Sequence, residues 1–232
     1  MDPNNSYGFI DKQNSDNQFI LLSAPHCQQT YRHTDEEGIH RREVYTGAIV
    51  RYMNDKLGCP VIYKRYRSDD PNYYDFIPKT TQTQAFNNIH NNLIPYKEKI
   101  KDYLLESSNI YLVIDIHGKE NDTRGNIEIG TMNKESLQSN VACYIPDIME
   151  YIFLKYGMDN IITNSIDYSA ENNQTITKYV IHSTNREIDA VQMEITRKYR
   201  GASSDIHLNF INAFSEIIYV INQLYSIYSQ PA

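Results

Sequence analysis

The stretch FILLSAPHCQQ, residues 19–29, is a run of apolar residues that ends abruptly at Pro25 and His26. A continuous apolar run bounded by turn residues is typical of a short strand buried on both faces. Residues 19–24 are therefore predicted to form a buried strand. Four other runs have the same character and give the remaining predicted strands, at residues 60–63, 110–116, 127–130 and 190–195.

Longer stretches with helical periodicity lie between and after these strands, at residues 41–56, 84–105, 136–156 and 204–228. In the last stretch, apolar residues recur at spacings of three and four and form one stripe, as expected of a helix that packs on a core. Alternation of strands and helices predicts an α/β fold, a three-layer sandwich around a mostly parallel mixed sheet. We expect a single domain over residues 1–232, with residues 1–17 a flexible or peripheral N-terminal segment.

The composition narrows the possible partners. The 232-residue chain has 22 basic and 29 acidic residues and a formal charge of -7, which argues against a general nucleic-acid surface. Its three cysteines include no CxxC pair, so neither a disulfide framework nor a cysteine-only metal site is indicated. The N-terminus does not resemble a secretory signal, and no apolar run approaches the roughly 20 residues of a membrane helix. We therefore expect a cytoplasmic protein without membrane or nucleic-acid partners.

Polar side chains follow three of the predicted strands, at the edge where α/β sheets bind ligands. His26 follows the first strand, Asp115 and His117 end the third, and Glu194 lies near the end of the last. Hydrolytic zinc sites commonly combine two imidazoles with one carboxylate and leave a fourth position for water. We predict that His26, Glu43 and His117 bind the metal. Glu194 is then free to act as the general base.

Each of these residues also has a plainer interpretation. A histidine at a strand end is often only a hydrogen-bonded structural residue, and Glu43 could be an acid at a helix N-terminus. Glu194 could be the buried partner of a nearby arginine. The pair His40-x-x-Glu43 is a rival ligand set, since both side chains would share one helix face. Asp115 is predicted as an outer partner of a ligating imidazole, because residues two apart on a strand share a face.

Arginine is the expected ligand of a substrate carboxylate, because its guanidinium binds carboxylates with two parallel hydrogen bonds. Three arginines lie in or next to the predicted site segments. They are Arg32 after the first strand, Arg124 after the third, and Arg200 after the last. We predict these three as substrate-binding residues.

Two other features are interpreted as structural. Residues 171–183, ENNQTITKYVIHS, are rich in turn formers and are predicted to form an exposed hairpin, although Thr175 or Thr177 could line a pocket. A thiol nucleophile at Cys27 would leave the predicted ligands and base without roles. Cys27 is therefore interpreted as a packed residue.

Six motifs follow one another along the chain: SAPHCQQTYRH (23–33), REVYTGAIVRYM (42–53), DDPN (69–72), VIDIHGKE (113–120), IEIGT (127–131) and VQMEITRKYR (191–200). In this order they resemble the N-formylglutamate amidohydrolase-like family, which is related to zinc carboxypeptidases and succinylglutamate desuccinylases. The resemblance covers about residues 19–200. It implies a phosphorylase/hydrolase-like α/β fold, one zinc ion per chain, and hydrolysis of an amide bond in a small N-acyl amino acid such as an N-formyl amino acid.

When the site residues of the family are transferred motif by motif, the resemblance implies the same four residues and roles that were predicted above from the strand ends. The Pro-His motif gives His26, the acid before a Gly-Ala helix gives Glu43, Asp-x-His gives His117, and Gln-x-Glu gives Glu194 as base. The chain departs from the family pattern in having Cys-Gln-Gln after Pro-His, and Glu rather than Asp at position 43. Two alternatives remain open: a carboxypeptidase-type zinc exopeptidase acting on short peptides, and a non-catalytic binding protein with the same fold.

Overall fold

A computed structural model describes residues 9–11, 18–27, 30–31, 39–40, 43–64, 68–69, 95–121, 124–172, 175–201 and 205–228. Of residues 9–11, 30–31, 39–40 and 68–69, only the backbone is described. The predicted flexible or peripheral segment 1–17 therefore lies mostly outside the described residues. Its residues Phe9–Asp11 form a strand.

Seven of the described strands form one large sheet. They are β1 (Phe9–Asp11), β2 (Ile20–Ala24), β5 (Val61–Tyr63), β7 (Leu112–Lys119), β8 (Ile127–Gly130), β9 (Ile161–Thr163) and β10 (Asp189–Thr196). Their order in the sheet is β1-β5-β2-β7-β10-β8-β9. The neighbours β5, β2, β7 and β10 are parallel to one another, β1 pairs antiparallel with β5 at one edge, and β8 pairs antiparallel with β10 and parallel with β9. A small second sheet contains β3 (Thr30–Tyr31), β4 (Ile39–His40) and β6 (Ser68–Asp69).

Helices cover both faces of the large sheet, as two separate apolar clusters show. The first face packs against α1 (Thr46–Leu57), α3 (Ile145–Lys155) and α6 (Asp205–Tyr228). The second face packs against α2 (Pro95–Glu106) and α4 (Ile176–Ser183). A four-residue helix, α5 (Arg197–Arg200), follows β10. The predicted three-layer α/β sandwich with a mostly parallel mixed sheet is confirmed.

The second face of the large sheet changes from apolar to polar toward the carboxyl ends of its strands, and the polar end contains the candidate site. Leu21, Val113 and Ala190 belong to the apolar cluster under α2 and α4. Residues two apart on a strand share a face, so the same face continues in polar residues toward the carboxyl ends of the strands. These polar residues are Ser23 on β2, Asp115 and His117 on β7, and Gln192 and Glu194 on β10, all buried.

The predicted elements differ from the observed ones mainly at their ends. The first helix begins at Thr46 and not near residue 41, because Tyr45 has a left-handed backbone (φ 76°) that no α-helix accepts. The predicted helix 136–156 contains α3 and a preceding 3-10 turn, Ala142–Tyr144. In the predicted helix 84–105, residues 84–94 lie outside the described residues.

The prediction of an exposed hairpin at residues 171–183 is wrong. Residues Ile176–Ser183 form helix α4, and the Oγ1 of Thr175 caps it by accepting from the backbone N–H of Lys178. The turn formers before Thr175 lead into a helix N-terminus rather than a hairpin, because a threonine at this position satisfies a free backbone donor. Ile176 and Val180 are fully buried against the sheet.

Candidate metal centre

The structure brings His26, Glu43 and His117 into one buried cluster. The Oε1 atom of Glu43 lies 2.9 Å from Nδ1 of His26 and 3.4 Å from Nδ1 of His117. Ligand atoms from the three residues all lie within 4.8 Å of one another, and the two imidazole rings meet edge to face with centroids 4.9 Å apart. Two imidazoles and a carboxylate that converge in this way fit a zinc ion.

Main-chain contacts hold the first two members of the cluster in place. His26 lies in the turn after β2, and its carbonyl accepts a hydrogen bond of 3.0 Å from the backbone N–H of Glu43. The Oγ1 of Thr46 donates to the carbonyl of Glu43 at 2.9 Å, which fixes the start of α1. The short segment before α1 is thereby tied to the turn after β2, so His26 and Glu43 face each other.

A glycine in the first turn of α1 permits this helix to lie close to the turn after β2. The Cys27 thiol donates to the carbonyl of Lys64 at 2.9 Å and packs against Gly47. A Cβ atom at Gly47 would lie 2.8 Å from Cβ of Cys27, closer than real Cβ contacts. Cys27 is a packed residue in the core, as predicted, and α1 approaches the His26 turn only because position 47 is glycine.

The Glu43 carboxylate is fixed at both of its oxygen atoms. Its Oε2 accepts a hydrogen bond of 2.9 Å from the backbone N–H of Gly118, while Oε1 faces the two imidazoles. Burial alone would raise the pKa of Glu43, but the charges of His26 and His117 and their hydrogen bonds hold that pKa well below its usual range. Glu43 is therefore an anion, the form in which a carboxylate binds a metal.

His117 is oriented by Asp115, the residue two positions before it. Nε2 of His117 lies 2.8 Å from Oδ2 of Asp115, and because a carboxylate only accepts, the imidazole donates this hydrogen bond. Burial by itself would lower the pKa of His117, but Asp115 and Glu43 raise it well above its usual value. With Nε2 used in this way, Nδ1 is the nitrogen that faces the cluster. Asp115 thus makes the contact with His117 that an outer partner would make, and its role at a metal site stays a prediction.

Glu194 lies beside the cluster on the neighbouring strand. It is opposite His117 in the parallel pairing of β10 with β7, and its Oε1 accepts a hydrogen bond of 2.9 Å from the side-chain amide of Gln192. Burial raises the pKa of Glu194 to about 7, against the opposing charge of His117. A carboxyl group with this pKa exchanges its proton readily at neutral pH.

Of the remaining predicted residues, two are not fully described and two have side chains that are engaged by other groups. Arg32 is not among the described residues, and for His40, in β4, only the backbone is described. Arg124 forms an ion pair with Asp167, and both side chains are about half exposed. The buried guanidinium of Arg200 donates to three backbone carbonyl groups. The substrate-binding roles of these arginines stay predictions.

Two contributions to the site could not be found from the sequence alone. Gly118 supplies the amide that holds Glu43, and a Cβ atom at this glycine would lie 2.5 Å from Cζ of Arg200. Gln192 orients Glu194. The sequence motifs contain the glycine after Asp-x-His and the glutamine two residues before Glu194, but the partners of both residues depend on strand register and on the position of α5.

Searches of protein-family models and of curated proteins give no match to this sequence. Solved structures do match. N-formylglutamate amidohydrolase from Ralstonia eutropha aligns over 94% of this chain and 97% of its own, with a TM-score of 0.65 and 10% identity. The chain has the fold of that enzyme. The structural resemblance expected from the sequence motifs is thus confirmed at the level of the fold.

Two other solved structures share the fold. A bacteriophage poly-gamma-glutamate hydrolase aligns over 94% of this chain and 90% of its own, with a TM-score of 0.54 and 14% identity. Succinylglutamate desuccinylase from Chromobacterium violaceum aligns over 93% of this chain and 65% of its own, with a TM-score of 0.51 and 12% identity. In the part of the chain that the structure describes, no helix is long and apolar enough to cross a membrane.

Proposed function

We propose that the protein is a zinc-dependent amidohydrolase that cleaves an amide bond in a small N-acyl amino acid, for example an N-formyl amino acid. The observation that carries the proposal is the convergence of His26, Glu43 and His117 next to the buried carboxyl group of Glu194. Solved amidohydrolases and a poly-gamma-glutamate hydrolase with the same fold support the reaction class.

His26 and His117 would hold the zinc ion through their Nδ1 atoms, and Glu43 would hold it through its carboxylate. A zinc ion in this place supplies Lewis acidity toward a carbonyl oxygen and toward water. The donor set fits zinc, because each imidazole would offer one nitrogen after zinc displaces its proton, and Glu43 would offer an anionic oxygen. Asp115 keeps the His117 ring in the required orientation, as outer partners of ligating histidines generally do.

Glu194 is assigned the proton transfers. Its carboxylate takes a proton from the water that attacks the amide carbonyl carbon, and the resulting carboxylic acid gives a proton to the leaving nitrogen as the C–N bond breaks. A pKa of about 7 suits both transfers, because neither protonation state is strongly favoured near neutral pH. The hydrogen bond from Gln192 keeps the carboxyl group in place between these two steps.

The substrate carboxylate requires a cation, and we assign it to an arginine of the predicted set. Arg200 is committed to three carbonyl groups, so a carboxylate would compete with them for its N–H groups. Arg32 and Arg124 are therefore the first candidates to test. Replacing either by methionine is expected to raise KM for a carboxylate substrate and to leave KM for its amide derivative unchanged.

The test is metal content and hydrolysis, measured on protein purified without a metal-binding tag. We expect about one zinc ion per chain in the unmodified protein. Zinc should be lost in His26→Ala and retained in His40→Ala and Glu194→Gln. Hydrolysis of N-formyl and N-acetyl amino acids should fall by a factor of about 100 or more in Glu194→Gln, the loss typical of a general base.

Two results would redirect the assignment. A protein that takes up no zinc after reconstitution has no hydrolase mechanism of this kind and is better explained as a binding protein on the same fold. A zinc-loaded protein that cleaves dipeptides faster than acyl amino acids is an exopeptidase of carboxypeptidase type. Zinc content and hydrolysis rates measured on the same protein preparations distinguish these two results.

A further inference from the structure

We infer that Tyr96 and Ser23 are positioning residues for the metal centre, acting on His117 through Asp115. The inference rests on the proposed function, since it concerns how tightly the three ligands hold zinc. The observation behind it is a continuous buried chain of hydrogen bonds. It runs from the phenol of Tyr96 on α2 to Ser23 on β2, to Asp115 on β7, and to the His117 imidazole.

The direction of each hydrogen bond follows from counting protons. The Asp115 carboxylate has no proton to give, so it accepts from Oγ of Ser23 at 2.7 Å and from Nε2 of His117 at 2.8 Å. Ser23 has a single hydroxyl proton, which it donates to Asp115. It must therefore accept in its 3.0 Å contact with Tyr96. The phenol of Tyr96 is the donor at the start of the chain.

This chain of bonds fixes both carboxylate oxygens of Asp115, one toward β2 and one toward the imidazole. Ser23 and Asp115 are fully buried, and Tyr96 is 1% exposed, so water does not replace a lost partner easily. With Asp115 held in this way, Nε2 of His117 stays engaged and Nδ1 stays directed toward Oε1 of Glu43. Pre-orientation of Nδ1 should increase zinc affinity.

Tyr96 also donates to the carbonyl of Ile62 at 3.1 Å, so its single proton is shared between two acceptors. This sharing makes the Tyr96 contribution smaller than that of Ser23. It also means that Tyr96→Phe affects the carbonyl of Ile62 and hence general stability. Ser23→Ala leaves that contact intact and provides the second variant.

The experiment is a zinc titration of metal-free protein against a competing chelator of known affinity. We expect zinc to bind about tenfold more weakly in Ser23→Ala and about threefold more weakly in Tyr96→Phe, at or below the lower end of the range for partners that contact a ligand. The matched control is Tyr103→Phe, which removes a phenolic hydroxyl group from the same helix. Urea unfolding of the metal-free variants distinguishes a general loss of stability from a specific loss of zinc affinity.

A double-mutant cycle tests whether Tyr96 and Ser23 affect zinc binding through Asp115. If Tyr96 and Ser23 act through Asp115, neither substitution weakens zinc binding further in an Asp115→Asn background. Additive effects in that background would overturn the inference. So would a zinc affinity in Ser23→Ala and Tyr96→Phe equal to that of Tyr103→Phe and the unmodified protein.

Failure of this inference is distinguishable from failure of the proposed function. If the unmodified protein binds zinc and His26→Ala abolishes binding, while Ser23→Ala changes nothing, then the metal centre stands and the positioning role falls. If the unmodified protein binds no zinc, the proposed function itself is wrong.

Discussion

Replacing Arg200 with lysine tests how the edge of the sheet next to the candidate metal centre is held together. The guanidinium is 3% exposed. It donates from Nε to the carbonyl of Ile195 at 2.7 Å, from Nη1 to that of Val44 at 2.5 Å, and from Nη2 to that of Lys119 at 2.8 Å. A lysine ammonium keeps the charge but lacks the planar fork that reaches three acceptors.

The expected loss of stability follows from the number of unmatched groups. An ammonium can serve one of the three carbonyl groups, and each buried acceptor left without a donor costs about 1 to 3 kcal/mol. We therefore expect Arg200→Lys to lower the free energy of unfolding by about 4 kcal/mol. For a chain of this length, that corresponds to a fall in Tm of roughly 10 °C.

Urea unfolding of the zinc-free protein measures this change directly. Lys198→Ala is the control, because Lys198 lies in the same short helix and its ion pair with Asp159 is exposed, so its loss should cost less than about 1 kcal/mol. A loss below about 1 kcal/mol in Arg200→Lys as well would refute the reasoning. If stability were unchanged and KM increased, Arg200 would be a substrate-binding residue, as predicted from the sequence.

Three further predictions concern the site and its support. Gly47→Ala should lower the free energy of unfolding by about 1 to 2 kcal/mol, because overpacking against Cys27 outweighs the gain in helix propensity; urea titration measures it. Asp189→Asn should cost about 2 to 4 kcal/mol, because this buried carboxylate accepts hydrogen bonds from two amides and two hydroxyls; Asp55→Asn, on the surface of α1, is the thermal-unfolding control. Zinc at 100 times its Kd should raise the free energy of unfolding by about 2.7 kcal/mol, and Glu43→Gln should abolish most of that increase.

The strands in the interior of the sheet could be predicted from the sequence because they are apolar on both faces. The predicted strand 110–116 and the observed β7 differ only at their ends, and β10 extends the predicted strand 190–195 by one residue on each side. Strand β9 was not predicted because it is short, lies at the edge of the sheet and is only partly buried. A short edge strand carries no continuous apolar run.

Helix α4 could not be predicted from the local sequence. The polar residues before Thr175 are typical of a turn, and only eight residues of helix follow them. The apolar stripe of so short a helix contains few residues, so periodicity does not separate it from a strand. What stabilises α4 is burial of Ile176 and Val180 against the second face of the sheet, which is a tertiary effect.

Four residues of the candidate site could be predicted because each lies close to a strand end or a helix start. His26, His117 and Glu194 follow from the rule that parallel strands end at one edge, and Glu43 from its place before α1. The pairing of Ser23 with Asp115 could not be predicted, because it depends on the register between β2 and β7.

The same contacts stabilise the fold and position Glu43, a candidate metal ligand. The N–H of Gly118 holds Glu43, and the guanidinium of Arg200 lies against Gly118 and binds the carbonyl of Val44, the residue after Glu43. Loss of the Arg200 contacts should therefore displace Glu43 as well as destabilise the chain. Arg200→Lys should bind zinc more weakly than Lys198→Ala does, even at a urea concentration where both variants are fully folded. Equal zinc affinities in these two variants would mean that Gly118 and Val44 hold Glu43 without help from Arg200.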